Sequence, residues 1–147
     1  EAAERKAQEM IARAETEIDA VRERLARDLD RRVMQGKSKL FTAVLEVIDN
    51  LDRAARHAAE SSPAIGEGID LVRQQLLSVL KAEGVEPIET LGLPYDPHVA
   101  EAVLTVAVEP DRDNIVIEEI QRGYICGETV LRPARVKVGK ASNQTSN

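Results

Sequence analysis

The sequence holds few aromatic residues and a single cysteine, and these shortages exclude several kinds of site. Its 147 residues include Phe41, Tyr95 and Tyr124 but no tryptophan, so a core must consist of Leu, Val, Ile and Ala. Single-stranded nucleic acids and flipped bases stack on aromatic side chains that share one face, and three scattered rings cannot form such a platform. Cys126 alone forms neither an internal disulfide framework nor a four-thiolate metal site, which indicates a reducing compartment.

Basic residues are outnumbered by acidic ones. The chain carries 20 Lys and Arg against 26 Asp and Glu, and its net charge of −6 repels nucleic acids and anionic lipid surfaces. No apolar run approaches the roughly 18 residues of a membrane helix, and the opening stretch EAAERKAQEM lacks the segments of a signal peptide. We therefore expect no nucleic-acid partner, no membrane span and a cytoplasmic location.

Proline and glycine are nearly absent from the first part of the chain. Residues 1–59 contain no proline, one glycine and equal numbers of acidic and basic residues, whereas residues 60–147 contain all 6 prolines. The first composition is typical of a long helix, and the second is typical of turns and short strands. The sequence therefore predicts an α+β protein.

Apolar residues in the first part recur at steps of three and four, which predicts a helix from Glu1 to about Ala59. A longer repeat of eleven residues, about 3.67 per turn, disfavours a left-handed leucine zipper. So long a helix, roughly 90 Å, cannot bury its apolar stripe within one small chain. The expected partner is the same helix of a second copy, with a weak point where Gly36 interrupts the stripe.

A second amphipathic helix is predicted after the break at residues 61–63, ending in a glycine cap at Gly84. It can fold back on the first helix, and two such hairpins would form a four-helix bundle in a dimer. We assign residues 1–39 to a dimeric rod and residues 40–85 to the bundle hairpin. The apolar positions expected to hold the rod and bundle together are Ile18, Leu25, Leu29, Leu40, Val44, Ile48, Leu51, Ile69, Val72, Leu76 and Leu80.

From Val85 onward the apolar period changes to two, which indicates strands. The expected strands are residues 102–109, 114–120, 124–126 and 130–138, separated by prolines and glycines. They predict a small C-terminal all-β domain over residues 86–140. Residues 141–147 carry no pattern, and we expect them to be disordered.

The sequence contains no convincing catalytic or metal-binding set. His57 and His98 lack partners at ligand spacing apart from Asp96, and a pairing of His98 with Cys126 lacks a third orienting group. No glycine-rich phosphate loop occurs either. We therefore expect no enzyme activity and no cofactor, and interpret the chain as a dimeric adaptor.

Five stretches resemble, in order and spacing, the GrpE family of nucleotide exchange factors for DnaK-type chaperones. They are VLEVIDNLDRA (44–54), EGID (67–70), EGVEPI (83–88), YDPHVAEAV (95–103) and GYICGETVLRPARVKVGK (123–140). The resemblance implies a homodimer with a long N-terminal parallel paired helix, short helices forming a four-helix bundle, and a β domain in each protomer. It also implies binding to the chaperone's nucleotide-binding domain, opening of its cleft, release of ADP, and a stress response in which the rod helix senses heat.

The resemblance places the chaperone-binding surface on the β domain. The local chemistry agrees, because prolines stiffen the loop around Asp96, and Tyr and Arg are residue types favoured as interface anchors. The candidate contacts there are Tyr95, Asp96, Pro97, Glu101, Tyr124, Arg132 and Pro133, with Arg22 and Arg24 on the rod as a second contact. Ala100 occupies the position of a histidine in the family loop, and this chain has His98 instead.

Two other interpretations remain open. A coiled-coil transcription factor that binds RNA polymerase would need acidic residues at the tip of its helical hairpin, whereas residues 60–67 are rich in Ser and Gly. A structural or holdase adaptor would leave the β domain unexplained.

Overall fold

A computed structural model describes residues 1–142 and divides the chain into two compact units, the first being Glu1–Ser38 and the second beginning at Lys39. Helix α1, Ala2–Ser61, contributes to both units and is unbroken at Gly36. It confirms the predicted long helix. In the first unit every side chain of residues 1–33 is exposed, including the stripe residues Ile18, Leu25 and Leu29.

A single non-helical residue, Ser62, separates α1 from helix α2, Pro63–Ala82. The proline takes the first helical position, where a missing N–H costs nothing. Gly66 then lets the two helices approach closely, since a Cβ at this position would lie 2.7 Å from the Ala59 Cβ and 2.8 Å from the Ala55 carbonyl oxygen. The hairpin that the sequence predicts is therefore closed by a proline start and a glycine contact.

Helix α2 ends in the predicted glycine cap. Gly84 has a φ of +93°, in the left-handed region, and its N–H donates to the Lys81 carbonyl at 3.0 Å. Val85, the next residue, is buried and begins the first strand.

The C-terminal part consists of six strands in two three-stranded sheets. They are β1 Val85–Pro87, β2 Ala100–Val108, β3 Val116–Gln121, β4 Tyr124–Cys126, β5 Thr129–Arg132 and β6 Ala134–Ala141. Sheet 1 has the order β1-β4-β5 and is antiparallel. Sheet 2 has the order β2-β6-β3, in which β6 is parallel to β2 and antiparallel to β3. A 3-10 helix, Pro110–Arg112, precedes β3. The protein thus has the expected α+β fold.

The expectation of one strand over residues 130–138 is wrong. The chain leaves sheet 1 after Arg132 and enters sheet 2 at Ala134, because Pro133 cannot donate a ladder hydrogen bond and marks the crossing. At the other end, β6 includes Ala141, the first residue of the segment expected to be disordered. Residues 143–147 lie outside the described part of the chain.

Two apolar cores stabilise the second unit. Sheet 2 buries the cluster Ala100, Val116, Ala134, Val136 and Val138, with Tyr95 packed against it. The helices bury Phe41, Leu45, Ile48, Ala55 and Leu80. Among residues 1–142, no helix is both long enough and apolar enough to cross a membrane.

The apolar positions expected in the bundle divide into two groups. Ile48 and Leu80 are buried within the chain, and Val44, Leu51, Ile69 and Leu76 are partly buried. Leu40 and Val72 remain 61% and 50% exposed. In the second unit α1 therefore has one apolar face that packs within the chain and another that stays uncovered.

Candidate functional site

Arg132, the last residue of β5, connects sheet 1 to helix α1. Its Nη1 and Nη2 atoms donate to the two carboxylate oxygens of Asp49 at 2.5 and 2.9 Å, and its Nε donates to the Arg122 carbonyl at 2.8 Å. The Arg132 side chain is only 11% exposed. All three guanidinium nitrogens are thus engaged within the chain.

Tyr124 lies beneath this ion pair. The guanidinium carbon of Arg132 is 5.4 Å from the centroid of the Tyr124 ring, which is the geometry of a cation–π contact. Tyr124 is 5% exposed, and burial raises the pKa of its phenol. Tyr124 is therefore part of the packing between sheet 1 and the helices.

Asp49 also accepts a third hydrogen bond, from Gln121 Nε2 at 3.1 Å. Gln121 ends β3 in sheet 2, whereas Arg132 ends β5 in sheet 1. One carboxylate on α1 is therefore bonded to both sheets. Sequence reasoning missed this residue, although it lies in the VLEVIDNLDRA stretch, because nothing local indicates which face of the helix meets the β domain.

The loop before β2 is ordered by its own hydrogen bonds. The Tyr95 hydroxyl donates to the Ala100 carbonyl at 3.2 Å, while its ring packs on the sheet 2 core. Asp96 Oδ1 accepts from the His98 backbone N–H at 2.9 Å and lies 2.9 Å from its Nδ1. The backbone and side-chain hydrogen bonds from His98 lower the pKa of Asp96. The turn therefore holds Asp96, Pro97 and His98 exposed in a defined conformation.

The start of β2 and the start of β6 bring most of the candidate residues to one end of sheet 2. The Ala134 N–H donates to the Val99 carbonyl at 3.0 Å, and Glu101 is in register with Arg135. Pro133, Pro97 and Glu101 are exposed around this end. We call the set Asp96, Pro97, Glu101 and Pro133 the β-end surface. Arg22 and Arg24 are exposed on α1 in the first unit.

A second charged cluster joins the two helices. Arg73 Nε on α2 donates to Asp70 Oδ1 at 2.7 Å and lies 3.8 Å from Asp52 Oδ1 on α1. The hydrogen bond from Arg73 is the main cause of the lowered pKa of Asp70, and Gln74 adds a further hydrogen bond to the same carboxylate. This cluster links α1 to α2 within the hairpin.

Potential metal ligands and nucleophiles are scattered over the described residues. Residues 1–142 contain no group of three or more His, Cys, Asp and Glu side chains placed to hold a metal ion. Cys126 is buried with its Sγ 3.8 Å from the Glu83 carbonyl, whereas the His98 side chain is 90% exposed. The arrangement is a β domain attached to helices by a charged junction, with an ordered polar end.

Comparison with known proteins agrees with this architecture. A family model described as GrpE matches residues 1–140, which include both helices and nearly all of the two sheets. Protein GrpE of Parageobacillus thermoglucosidasius is 37% identical over 126 residues, 84% of this chain and 56% of that protein. Protein GrpE of Prochlorococcus marinus (strain MIT 9312) is 36% identical over 138 residues, 92% of this chain and 58% of that protein.

A further relative, Protein GrpE of Bacillus velezensis, is 34% identical over 132 residues, 88% of this chain and 69% of that protein. The chain thus spans between half and about two thirds of the length of these relatives. The match of the family model over 140 residues is the broadest of these similarities. On this evidence, the chain belongs to the GrpE family.

Proposed function

We propose that this protein is a nucleotide exchange factor for a DnaK-type chaperone. In this role it binds the chaperone's nucleotide-binding domain, holds the nucleotide cleft open and accelerates the release of ADP. The observation that carries the proposal is the family match over residues 1–140, because it includes the helices, the charged junction and the β domain together.

The physical requirement for such a factor is a difference in affinity between two states of its partner. A factor that binds the open cleft about 4 kcal/mol more tightly than the closed cleft shifts the populations roughly a thousandfold. A β domain fixed to a helical support meets this requirement, because it cannot follow one lobe of the partner as the cleft closes. The three hydrogen bonds to Asp49 support such a fixed attachment.

We place the chaperone contact on the β-end surface. Its backbone is held by the Tyr95 and Asp96 hydrogen bonds, so little ordering entropy is lost on binding. Tyr95, Tyr124 and Arg132 support this surface from beneath through packing and ion pairing. Arg22 and Arg24 on α1 are proposed as a second, weaker contact.

We further propose that the protein acts as a homodimer. Uncovered apolar side chains on the helices of the second unit are Leu40, Val47, Ile65, Leu71, Val72 and Val79, each at least half exposed. A second copy of the same hairpin would cover them in a four-helix bundle, with the first parts of the two α1 helices paired in parallel.

Heat sensing follows from the weakness of the rod. The side chains of residues 1–33 are all exposed within the chain, so their apolar stripe depends on pairing with the second copy for its packing. Isolated helices are marginal in water, and this part of α1 is expected to melt before the bundle. Its melting would lower exchange activity during heat stress.

The proposed function is tested by stopped-flow release of a fluorescent ADP analogue from a DnaK-type chaperone. We expect the protein to accelerate release in a saturable manner. A variant that combines Asp96→Ala and Glu101→Ala should raise the half-saturating concentration about tenfold. The matched control is Asp111→Ala, an exposed carboxylate of the same domain outside the β-end surface, which should leave it unchanged. No acceleration by the unaltered protein at saturation would overturn the function, and an unchanged double variant would move the contact elsewhere.

A further inference from the structure

The contacts between α1 and the β domain lie along one helix face. The Thr42 hydroxyl donates to the Leu131 carbonyl at 3.4 Å, and Asp49 bonds to Gln121 and Arg132. Leu45, which lies between these two positions, is fully buried. Steps of three and four place residues 42, 45 and 49 on the same side of the helix. This face is the support on which the β domain sits.

Asp49 is the residue on this helix face whose hydrogen bonds to the β domain are directional. Its two oxygens receive the planar fork of Arg132, and a bidentate pair restrains rotation as well as distance. The bond from Gln121 reaches the same carboxylate from the other sheet. Apolar packing, by contrast, is not directional and tolerates rotation.

We propose that Asp49 is a positioning residue that sets the orientation of the β domain on α1 and thereby the extent to which chaperone binding is converted into ADP release. The inference rests on the proposed exchange function. With Asp49 neutralised, the β domain can rotate and follow the partner's lobe in both the open and the closed cleft. The affinity for the two states then becomes more nearly equal, and the coupling between binding and release falls.

This role predicts a separation of two kinetic quantities. Loss of a contact residue weakens binding and raises the half-saturating concentration, whereas loss of a positioning residue lowers the maximal release rate. For Asp49→Asn we expect the maximal rate of ADP release to fall about tenfold, with the half-saturating concentration changed less than about threefold. Arg132→Lys keeps the charge but loses the fork, and it should behave in the same way.

The matched control is Glu46→Gln, which also converts a carboxylate on α1 into an amide. Glu46 is exposed and one turn from Asp49, so we expect wild-type rate and half-saturation. Gln121→Ala removes the bond from sheet 2 and leaves the Arg132 pair in place. It should lower the maximal rate by a smaller factor than Asp49→Asn, which keeps the proposal testable if Asp49→Asn fails to fold.

Orientation is measured directly with spin labels at Ala54→Cys on α1 and Glu128→Cys between β4 and β5, both exposed positions, in a Cys126→Ala background. Labelled chains are diluted with unlabelled ones so that distances within one chain are recorded. We expect a single narrow distance distribution that broadens with Asp49→Asn while the melting temperature of the domain stays within a few degrees.

The results of these experiments distinguish failure of the positioning role of Asp49 from failure of the exchange function. A wild-type maximal rate for Asp49→Asn, or an unbroadened distance distribution, overturns the positioning role and leaves the exchange function standing. A raised half-saturation with an unchanged maximal rate makes Asp49 an affinity residue and also overturns it. If the unaltered protein gives no acceleration, the exchange function fails, and the conversion role of Asp49 fails with it.

Discussion

Carboxylates on the two helices meet arginines that are partly shielded from water. Asp49 pairs with Arg132, while Asp52 and Asp70 flank Arg73. Exposed ion pairs contribute little because water screens them, so the Arg132 pair, with its arginine only 11% exposed, is the strongest candidate for a measurable contribution. The Asp70 pair is more open and is best detected through its titration.

Asp70 should make the free energy of unfolding depend on pH in the acid range. Its pKa is lowered from the ordinary value of 3.8, chiefly by the hydrogen bond from Arg73, so folding favours the charged carboxylate. The stabilisation is present above the unfolded pKa and is lost as pH falls below 3.8 through the folded pKa. Denaturant unfolding at a series of pH values should therefore show Asp70→Asn less stable than wild type at neutral pH, with the two converging in acid. Glu67→Gln serves as control, and a difference that persists unchanged in strong acid would contradict this assignment.

For single residues, the sequence indicates the chemical type of a side chain better than it indicates which part of the fold that side chain contacts. Tyr124 and Arg132 are interface residue types, yet both are mostly buried against Asp49 and the helices. The ion pair of Arg132 with Asp49 joins residues 83 positions apart along the chain, so no local pattern could have revealed it. The Tyr95–Pro97 turn was easier to predict, because prolines and an Asp side chain stiffen it locally.

Helices and strands were predictable from the sequence where the residues that mark them are close together along the chain. The spacing of apolar residues located α1 and α2, and Gly84 located the end of α2. The division of residues 130–138 between two sheets was not predictable, because period-two alternation continues across Pro133 although the pairing partners change. Phe41 and Leu45 were missed for a related reason: α1 packs within the chain on a second apolar face.

Two glycines of α2 provide a matched pair of substitutions. A Cβ at Gly66 would lie within 3 Å of Ala55 and Ala59, whereas a Cβ at Gly68 would meet no atom within 4 Å. Alanine gains about 1 kcal/mol of helix propensity at either site, but overpacking at Gly66 costs about 1 to 3 kcal/mol. Gly66→Ala should therefore lower the free energy of unfolding, and Gly68→Ala should raise it by about 1 kcal/mol. Equal effects in denaturant unfolding would mean that the helices do not cross closely at Gly66.

The rod part of α1 should be strengthened by Gly36→Ala. Gly36 is helical, and a Cβ there meets no atom of the chain within 4 Å. Alanine should stabilise the helix by about 1 kcal/mol and raise the temperature of the lower of two calorimetric transitions. The upper transition, assigned to the second unit, should not move. A single transition that includes the whole chain would argue against separate melting of the rod.

The complete assembly should contain two chains. Leu40 is 61% exposed on α1, and Leu91 is 64% exposed in the β domain. Leu40 lies within the proposed bundle, and Leu91, which lies outside it, provides a matched control for substitution. A buried unpaired charge is strongly unfavourable, so Leu40→Glu should yield a monomer near 16.2 kDa by light scattering. Leu91→Glu should remain a dimer. A wild-type protein that is monomeric at micromolar concentration would contradict the proposed four-helix bundle.

The proposed exchange function requires that this protein distinguish two states of a DnaK-type chaperone by its fixed β domain. By thermodynamic linkage, a factor that weakens ADP binding must itself be bound more weakly by the ADP-loaded chaperone, by the same factor. Titration calorimetry with nucleotide-free and ADP-saturated chaperone measures that ratio directly. We expect dissociation constants that differ by roughly a thousandfold in favour of the nucleotide-free state. Equal dissociation constants in the two states would contradict it.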